Sequence, residues 1–174
     1  GVRDLGALRF LGVIRGRDGG FSAHFRNKSV WVFGDTPLNY PAADGSRWRS
    51  STWCWTRDFD ARDGLSDLNE PLDSNDVPGE FLPFTREEHE YNAVHNQDTL
   101  SEDERSSWKL WPGPLVVDPA TGKAFVFYSK VLSKVGPWAF EAIGGSIAIW
   151  DDPAHLPVRP QVSSDTEEPT LLFQ

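Results

Sequence analysis

Two aspartates frame a glycine-rich hairpin early in the sequence. Asp18 lies in the run Gly16-Arg-Asp-Gly-Gly20, and Asp35 ends the run Val30-Trp-Val-Phe-Gly-Asp35. In an antiparallel hairpin, the residue that enters the first strand and the residue that leaves the second lie side by side. Two carboxylates about 5 to 10 Å apart over a cleft can hydrolyse a glycosidic bond, one as acid and the other as nucleophile or base. The alternative is that both aspartates only cap turns, which this residue type often does.

A second group of candidates lies in the stretch Trp108-Lys-Leu-Trp-Pro-Gly-Pro114 and at Lys130. Trp111 could stack on a sugar face, and Lys130 could bind hydroxyl groups or keep a neighbouring carboxylate ionised. The alternatives are that Trp111 packs in the interior and Lys130 ends a solvated strand. Glu141, just before a glycine pair, is a candidate third carboxylate. Ser51 could offer its hydroxyl group to a ligand at the edge of the next strand.

The sequence predicts no cofactor. Its four histidines show no paired metal-ligand spacing, which argues against zinc. Asp58, Asp60 and Asp63 have the alternating oxygens of a calcium loop, but the glycine and the final glutamate of an EF-hand are missing. A solvated acidic loop is the favoured interpretation, with calcium as the weaker alternative. The single cysteine, Cys54, excludes an internal disulfide and indicates a packing residue.

Composition excludes several classes of protein. The chain has 174 residues, 39% of them hydrophobic and 13% aromatic, which is ordinary for one globular domain. A net charge of −9 without a long Lys/Arg cluster argues against nucleic-acid binding. We predict no membrane span, because no apolar run reaches about 18 residues, and no signal peptide pattern is present at the first residues.

The elements that position the candidates are predicted to be mostly strands. Three apolar runs rich in β-branched and aromatic residues indicate strands buried on both faces, and the turn formers upstream of the first two indicate hairpins. These runs are Ser29–Phe33, Ala124–Tyr128 and Ser146–Trp150. The loop from Asp118 to Lys123 carries suitable turn residues.

Helix signals are confined to one segment. Residues 85–94 suit a helix with Thr85 as N-cap and Glu88 at the third helical position. This helix lies in a polar insertion, residues 60–107, whose length is typical of a lid or a binding loop.

Repeated hairpins predict an all-β fold, either a sandwich or a β-propeller. A propeller blade takes roughly 40 to 65 residues, so this length suits about two and a half to three blades. We therefore expect residues 1–174 to form a single propeller-like domain that is an incomplete N-terminal portion. The remainder of the propeller is then one expected partner.

Several motifs together resemble the DUF4185 family, whose proteins are similar to five-bladed β-propeller glycosidases. The resemblance covers most of the chain and rests on Arg17-Asp-Gly-Gly20, Trp31-Val-Phe-Gly-Asp-Thr36, Ser51-Thr-Trp-Cys-Trp-Thr56, Glu80-Phe-Leu-Pro-Phe-Thr85, Trp111-Pro-Gly-Pro114 and Phe127-Tyr-Ser-Lys130. Characterised members are endo-D-arabinofuranases that act on cell-wall arabinan, and the resemblance implies that Asp18 and Asp35 are the catalytic aspartates. Arg17 and Trp53, in the same motifs, join the candidate substrate-binding residues.

The leading hypothesis is a glycoside hydrolase-like protein that acts on a furanose-rich, arabinan-type polysaccharide or oligosaccharide with Asp18 and Asp35. A polysaccharide substrate also implies an extracellular or cell-envelope location. The main alternative is a non-catalytic carbohydrate-binding propeller with the same acidic mouth and aromatic residues. A structural role, in which an exposed strand pairs with another chain, is the third hypothesis.

Overall fold

The computed structural model describes residues 12–60, 62, 66–162 and 168–173. Their elements are, in chain order, β1 (Phe21–Phe25), β2 (Lys28–Phe33), β3 (Thr36–Pro37), β4 (Trp48–Arg49), β5 (Thr52–Thr56), α1 (Arg86–His95), β6 (Ser106–Val117), β7 (Ala124–Lys134) and β8 (Phe140–Trp150). The strands form three antiparallel sheets, ordered β1-β2-β5, β3-β4 and β6-β7-β8. No sheet closes on itself within the described residues, and the predicted all-β class is confirmed.

The first predicted hairpin is formed by β1 and β2, with Phe21 opposite Val32 and Phe25 opposite Lys28. Arg26 and Asn27 form the two-residue turn with φ of 50° and 56°. Positive φ at both central residues is the geometry whose twist suits a tight hairpin. The Arg26 guanidinium donates to the Asp151 carbonyl at 3.1 Å, which anchors a residue type that rarely takes this conformation.

The second predicted hairpin, β6 and β7, turns through Asp118 to Lys123 as expected. The Asp118 carboxylate accepts from the Ala120 amide and the Thr121 hydroxyl, and Gly122 takes a φ of 66°. The prediction that the run Ala124–Tyr128 in β7 is buried on both faces was wrong. Side chains along β7 alternate, with Val126 fully buried and Phe127 42% exposed, because only one face of this sheet packs on the core.

The core draws side chains from both three-stranded sheets. Phe81 packs against Trp53 and Trp150 with ring centroids 5.4 and 4.9 Å apart, and Trp150 also contacts Phe25 at 5.2 Å. Burying side chains of this size stabilises a fold by about 2 to 3 kcal/mol each. Phe81 comes from the predicted polar insertion, which therefore supplies part of the core as well as surface.

The predicted helix is confirmed as α1, one residue displaced at its end. Thr85 accepts from the Glu88 amide, and the Glu88 side chain accepts from the Thr85 amide, so both partners of a capping box are present. Unlike most residues of its helix, Glu88 is buried. Within the described residues, no helix has the length and apolar character needed to cross a membrane.

Residues 168–173 lie against the edge of β8. The Gly145 amide donates to the Phe173 carbonyl at 2.9 Å, and the Leu172 and Phe173 amides donate back to the Gly145 carbonyl. A Cβ atom at Gly144 would stand 2.2 Å from the Phe173 carbonyl oxygen. Glycine is required there because the two backbones approach too closely for any side chain.

Candidate functional site

Asp18 and Asp35 lie side by side at one edge of the first hairpin. The Asp18 amide donates to the Asp35 carbonyl, and the Gly34 amide donates to the Asp18 carbonyl, both at 2.8 Å. A Cβ atom at Gly34 would stand 3.3 Å from the Asp18 carbonyl oxygen, so glycine suits this close approach. These backbone bonds fix the relative position of the two aspartates.

Both aspartates line one cavity, which we call the first cavity, with a volume of about 630 Å³. Trp111 lines it as well, together with Trp48 and Lys109. Strand β6 carries Lys109 and Trp111, and Trp48 is the first residue of β4. The first cavity therefore combines residues of the sheets β3-β4 and β6-β7-β8 with the two aspartates that flank the β1–β2 hairpin.

Aromatic side chains make much of the wall of the first cavity. Trp48 is 40% exposed and Phe140 is 44% exposed, while Trp138 in the β7–β8 turn is 89% exposed. Trp111 meets Phe140 edge to face, with ring centroids 4.9 Å apart. The Trp111 Nε1 atom is buried and finds no acceptor among the described residues. Such rings offer large planar surfaces with polar edges, which suit a ligand that is apolar on its faces and polar at its rim.

The two carboxylates have different surroundings. The Trp48 indole N–H donates to Asp35 Oδ1 at 2.8 Å, whereas the Gly19 amide donates to Asp18 Oδ1 at 2.8 Å. Asp35 is half-buried and Asp18 is exposed. Asp18 thus caps its own turn while it borders the first cavity, and Asp35 is oriented by a side chain of the cavity wall.

A second cavity, about 460 Å³ in volume, adjoins the first and shares Trp48, Asn96, Ser107 and Lys109 with it. Glu80 lines this second cavity.

The half-buried Glu80 side chain accepts several hydrogen bonds. Its Oε1 atom accepts from the Ser51 amide at 2.8 Å and from the Ser51 hydroxyl at 3.2 Å, and the Ser50 hydroxyl also donates to it. Burial raises the pKa of Glu80, although the Ser50 hydrogen bond and the charges of Lys109 and Arg49 oppose the rise.

Lys109 stands in the wall between the two cavities. Its Nζ atom lies 5.6 Å from the centroid of the Trp48 ring. Burial lowers the pKa of Lys109, and the negative charges of Asp35 and Glu80 oppose that fall only in part. Within the described residues, the Lys109 ammonium makes no hydrogen bond and no ion pair.

Three of the predicted binding residues lie away from the first cavity. The Arg17 side chain is enclosed and binds Glu70 through two nitrogen atoms, at 3.1 and 2.6 Å. Trp53 belongs to the core, where its indole N–H donates to the Pro153 carbonyl at 3.3 Å. Ser51 donates to Glu80 and is fully buried.

Two further predicted residues also lie outside the first cavity. Lys130 is buried and pairs with Glu88 at 2.9 Å and with Glu168. Glu141 is exposed on β8 and is not among the lining residues. The structure thus brings together Asp18, Asp35 and Trp111 from the predicted set.

Sequence reasoning missed Trp48, Glu80 and Lys109. Glu80 opens one of the motifs quoted above, and Lys109 stands between two tryptophans, so each had a local signal. The hydrogen bonds that hold Glu80 come from positions about 30 residues away, such as Ser50, and no local sequence pattern specifies them.

The cysteine and the acidic loop singled out in the sequence have structural explanations. Burial raises the pKa of the Cys54 thiol to about 12, which suits a packing residue and not a nucleophile. Asp58 accepts from the Ser66 amide and hydroxyl, and Asp60 pairs with Arg62. Asp63, the third residue of the calcium hypothesis, lies outside the described residues. The described ranges contain no group of three or more side chains suited to hold a metal ion.

No protein-family model matches the chain, and a search of curated proteins finds no similar sequence.

Proposed function

We propose that the first cavity binds a furanose-rich, arabinan-type polysaccharide and hydrolyses its glycosidic bonds. The observation that carries this proposal is that Asp18 and Asp35 line one cavity together with Trp111. Paired carboxylates supply acid and base or nucleophile, and exposed aromatic rings supply faces for sugar rings.

The chemistry needs only the two carboxyl groups and water. One carboxylic acid donates its proton to the glycosidic oxygen as the bond to the anomeric carbon breaks. The other carboxylate attacks that carbon or activates a water molecule, and water finally supplies the new hydroxyl group. The backbone bonds between Asp18 and Asp35 hold the pair in place during these steps.

The same proposal includes the fold, which we propose to be part of a β-propeller. The motifs that resemble DUF4185, together with small antiparallel sheets around a shared core, support part of a five-bladed β-propeller of the glycosidase type. An extracellular or cell-envelope location follows from the proposed polysaccharide substrate.

The test is release of reducing ends from arabinan and from synthetic arabinofuranosyl oligosaccharides. We expect Asp35→Asn to lower the rate at least about 1000-fold, because a positioned acid or base contributes about 10² to 10⁴ in rate and the pair acts as a unit. Asp151→Asn is the matched control, since Asp151 is an exposed aspartate that pairs with Lys123 outside the first cavity. Unchanged product release from Asp35→Asn would contradict the catalytic assignment.

A non-catalytic carbohydrate-binding module is the second candidate. One observation favours it: the Asp18 carboxylate is bonded to the amide of its own turn, as a structural cap would be. Saccharide affinity that survives replacement of both aspartates by asparagine, with no reducing ends released by the unaltered protein, would establish this alternative.

A further inference from the structure

Four of the described residues line both cavities, and Trp48 and Lys109 are two of them. Trp48 is 40% exposed, and Lys109 lies beside its ring; both residues line both cavities. Asn96, at the end of α1, and Ser107 also border both spaces. The two cavities therefore adjoin each other.

Lys109 carries hydrogen-bond donors that make no bond within the described part of the chain. An ammonium group has three N–H donors, and a partly buried cation normally finds a carboxylate or carbonyl partner. Among the described residues Lys109 has the Trp48 ring as its neighbour, but its ammonium has no hydrogen-bonded or ion-paired acceptor. A ligand that crosses from one cavity to the other would supply the missing oxygen acceptors.

The charges around Lys109 favour a neutral ligand. The negative charges of Asp35 and Glu80 attract the Lys109 ammonium, and a third acidic side chain, Asp44, borders the second cavity. An anionic ligand would meet these carboxylates, whereas sugar hydroxyl groups accept from an ammonium and donate to a carboxylate at once. Other titratable or charged groups that line the two cavities are Asp18, Arg49, His89, Arg105 and Lys134.

We propose that the second cavity is a saccharide subsite, and that Lys109 binds hydroxyl groups of a glycan chain that passes over Trp48 from the first cavity. This inference rests on the proposed function, because it extends the same glycan beyond the site of hydrolysis. It adds Lys109 to the binding residues. Loss of Lys109 should weaken the binding of long ligands more than that of short ones.

The experiment measures binding by calorimetry with arabinofuranosyl oligosaccharides whose glycosidic oxygens are replaced by sulfur, so that the unaltered protein does not hydrolyse them. A disaccharide and a hexasaccharide are compared on the unaltered protein, Lys109→Met and His89→Ala. His89 borders the second cavity alone. Lys123→Met is the control, since Lys123 pairs with Asp151 and lines neither cavity.

We expect Lys109→Met to weaken hexasaccharide binding at least about tenfold, the usual effect of losing a charge-assisted hydrogen bond. His89→Ala is expected to weaken the hexasaccharide and to leave the disaccharide unchanged. Because Lys109 donates best when protonated, hexasaccharide affinity should fall as the pH rises through a range below that of an ordinary lysine, and Lys109→Met should abolish this fall.

The outcomes separate the two proposals. If neither oligosaccharide binds, the proposed function fails. If both bind, and Lys109→Met and His89→Ala match the unaltered protein at both lengths, the proposed function stands and the second cavity is not a subsite. A hexasaccharide that binds no more tightly than the disaccharide also overturns the subsite.

Discussion

Two lysines on neighbouring strands of one sheet have opposite surroundings. Lys130 in β7 stands opposite Leu110, the residue that follows Lys109 in β6. The Lys130 ammonium lies 4.3 Å from the centroid of the Trp108 ring and pairs with Glu88 and Glu168. Lys109 has the Trp48 ring as a neighbour but makes no ion pair with any carboxylate that the structure describes. The cation of Lys130 is held by two carboxylates, whereas that of Lys109, which has no ion-pair partner in the described ranges, remains available to a ligand.

Two glutamates repeat this contrast. Glu88 receives two hydrogen bonds from Arg159, at 2.6 and 3.0 Å, and faces Lys130. Burial acts to raise the pKa of Glu88, but the bonds and charges of Arg159 and Lys130 outweigh burial and leave it below its ordinary value. At Glu80 burial wins and the pKa is raised. The two glutamates therefore differ in their cation partners. Glu88, which Arg159 and Lys130 bind, has a lowered pKa, whereas Glu80, which lines the second cavity, has a raised pKa.

The largest effect on stability is expected from Glu88→Gln. This change leaves Arg159 and Lys130 without their shared counter-charge, and breaking a buried ion pair costs about 3 to 5 kcal/mol. Urea unfolding should give a loss of about 4 kcal/mol. Glu90→Gln is the control on the same helix, where Glu90 makes an exposed pair with Arg86, and it should change stability by less than about 0.5 kcal/mol. Equal losses of stability in the two variants would show that the buried pairs of Glu88 contribute no more than the exposed pair of Glu90.

A smaller effect is expected from the same substitution at the two lysines. Lys130→Met should lower the free energy of unfolding by about 3 kcal/mol, because Glu88 and Glu168 lose a partner. Lys109→Met should leave stability unchanged within about 0.5 kcal/mol or raise it, since this cation is buried and no side chain among the described residues pairs with it. Comparable losses at both sites, measured by urea unfolding, would show that Lys109 has a structural role too.

The smallest effect is expected in the pH dependence of unfolding, where the two glutamates act in opposite directions. The lowered pKa of Glu88 stabilises the fold above the ordinary value of 4.5, and this contribution is lost as the pH falls below that value. The raised pKa of Glu80 stabilises the fold below 4.5, and this contribution is lost as the pH rises through the folded-state value.

Stability curves between pH 3 and pH 8 test this difference. Glu88→Gln should flatten the acidic side of the curve, and Glu80→Gln should flatten the part above pH 4.5. If Glu80→Gln leaves the upper part of the curve as it is in the unaltered protein, the Glu80 carboxyl group does not hold its proton more firmly in the folded state.

Local patterns predicted the elements well where a single segment contains the whole signal. Thr85 and Glu88 specify the start of α1 within four residues, and the Asp118 loop specifies its hairpin within six. Asp18 and Asp35 were placed together because one hairpin joins them. In each case the interacting residues are close in sequence.

The rest of the site could not be predicted because its partners are distant in sequence. Arg17 looked like a binding residue, yet Glu70 encloses its charge from 53 positions away. Lys130 is held by Glu168, 38 positions away, and Glu80 is held by Ser50, 30 positions away. Whether these three side chains are held by the protein or free to bind a ligand depends on such distant contacts, which their neighbours in sequence do not reveal.

The missing side chain at Gly144 has a consequence for these distant charges. Gly144 stands opposite Lys130 in the β7–β8 register, and its bare backbone admits the segment 168–173. That segment brings Glu168 to Lys130 and the Thr170 hydroxyl to Arg159, at 2.9 Å for the latter. One added methyl group at Gly144 would displace the segment and leave two buried cations short of partners, so a position without any functional group governs the charge balance of the interior.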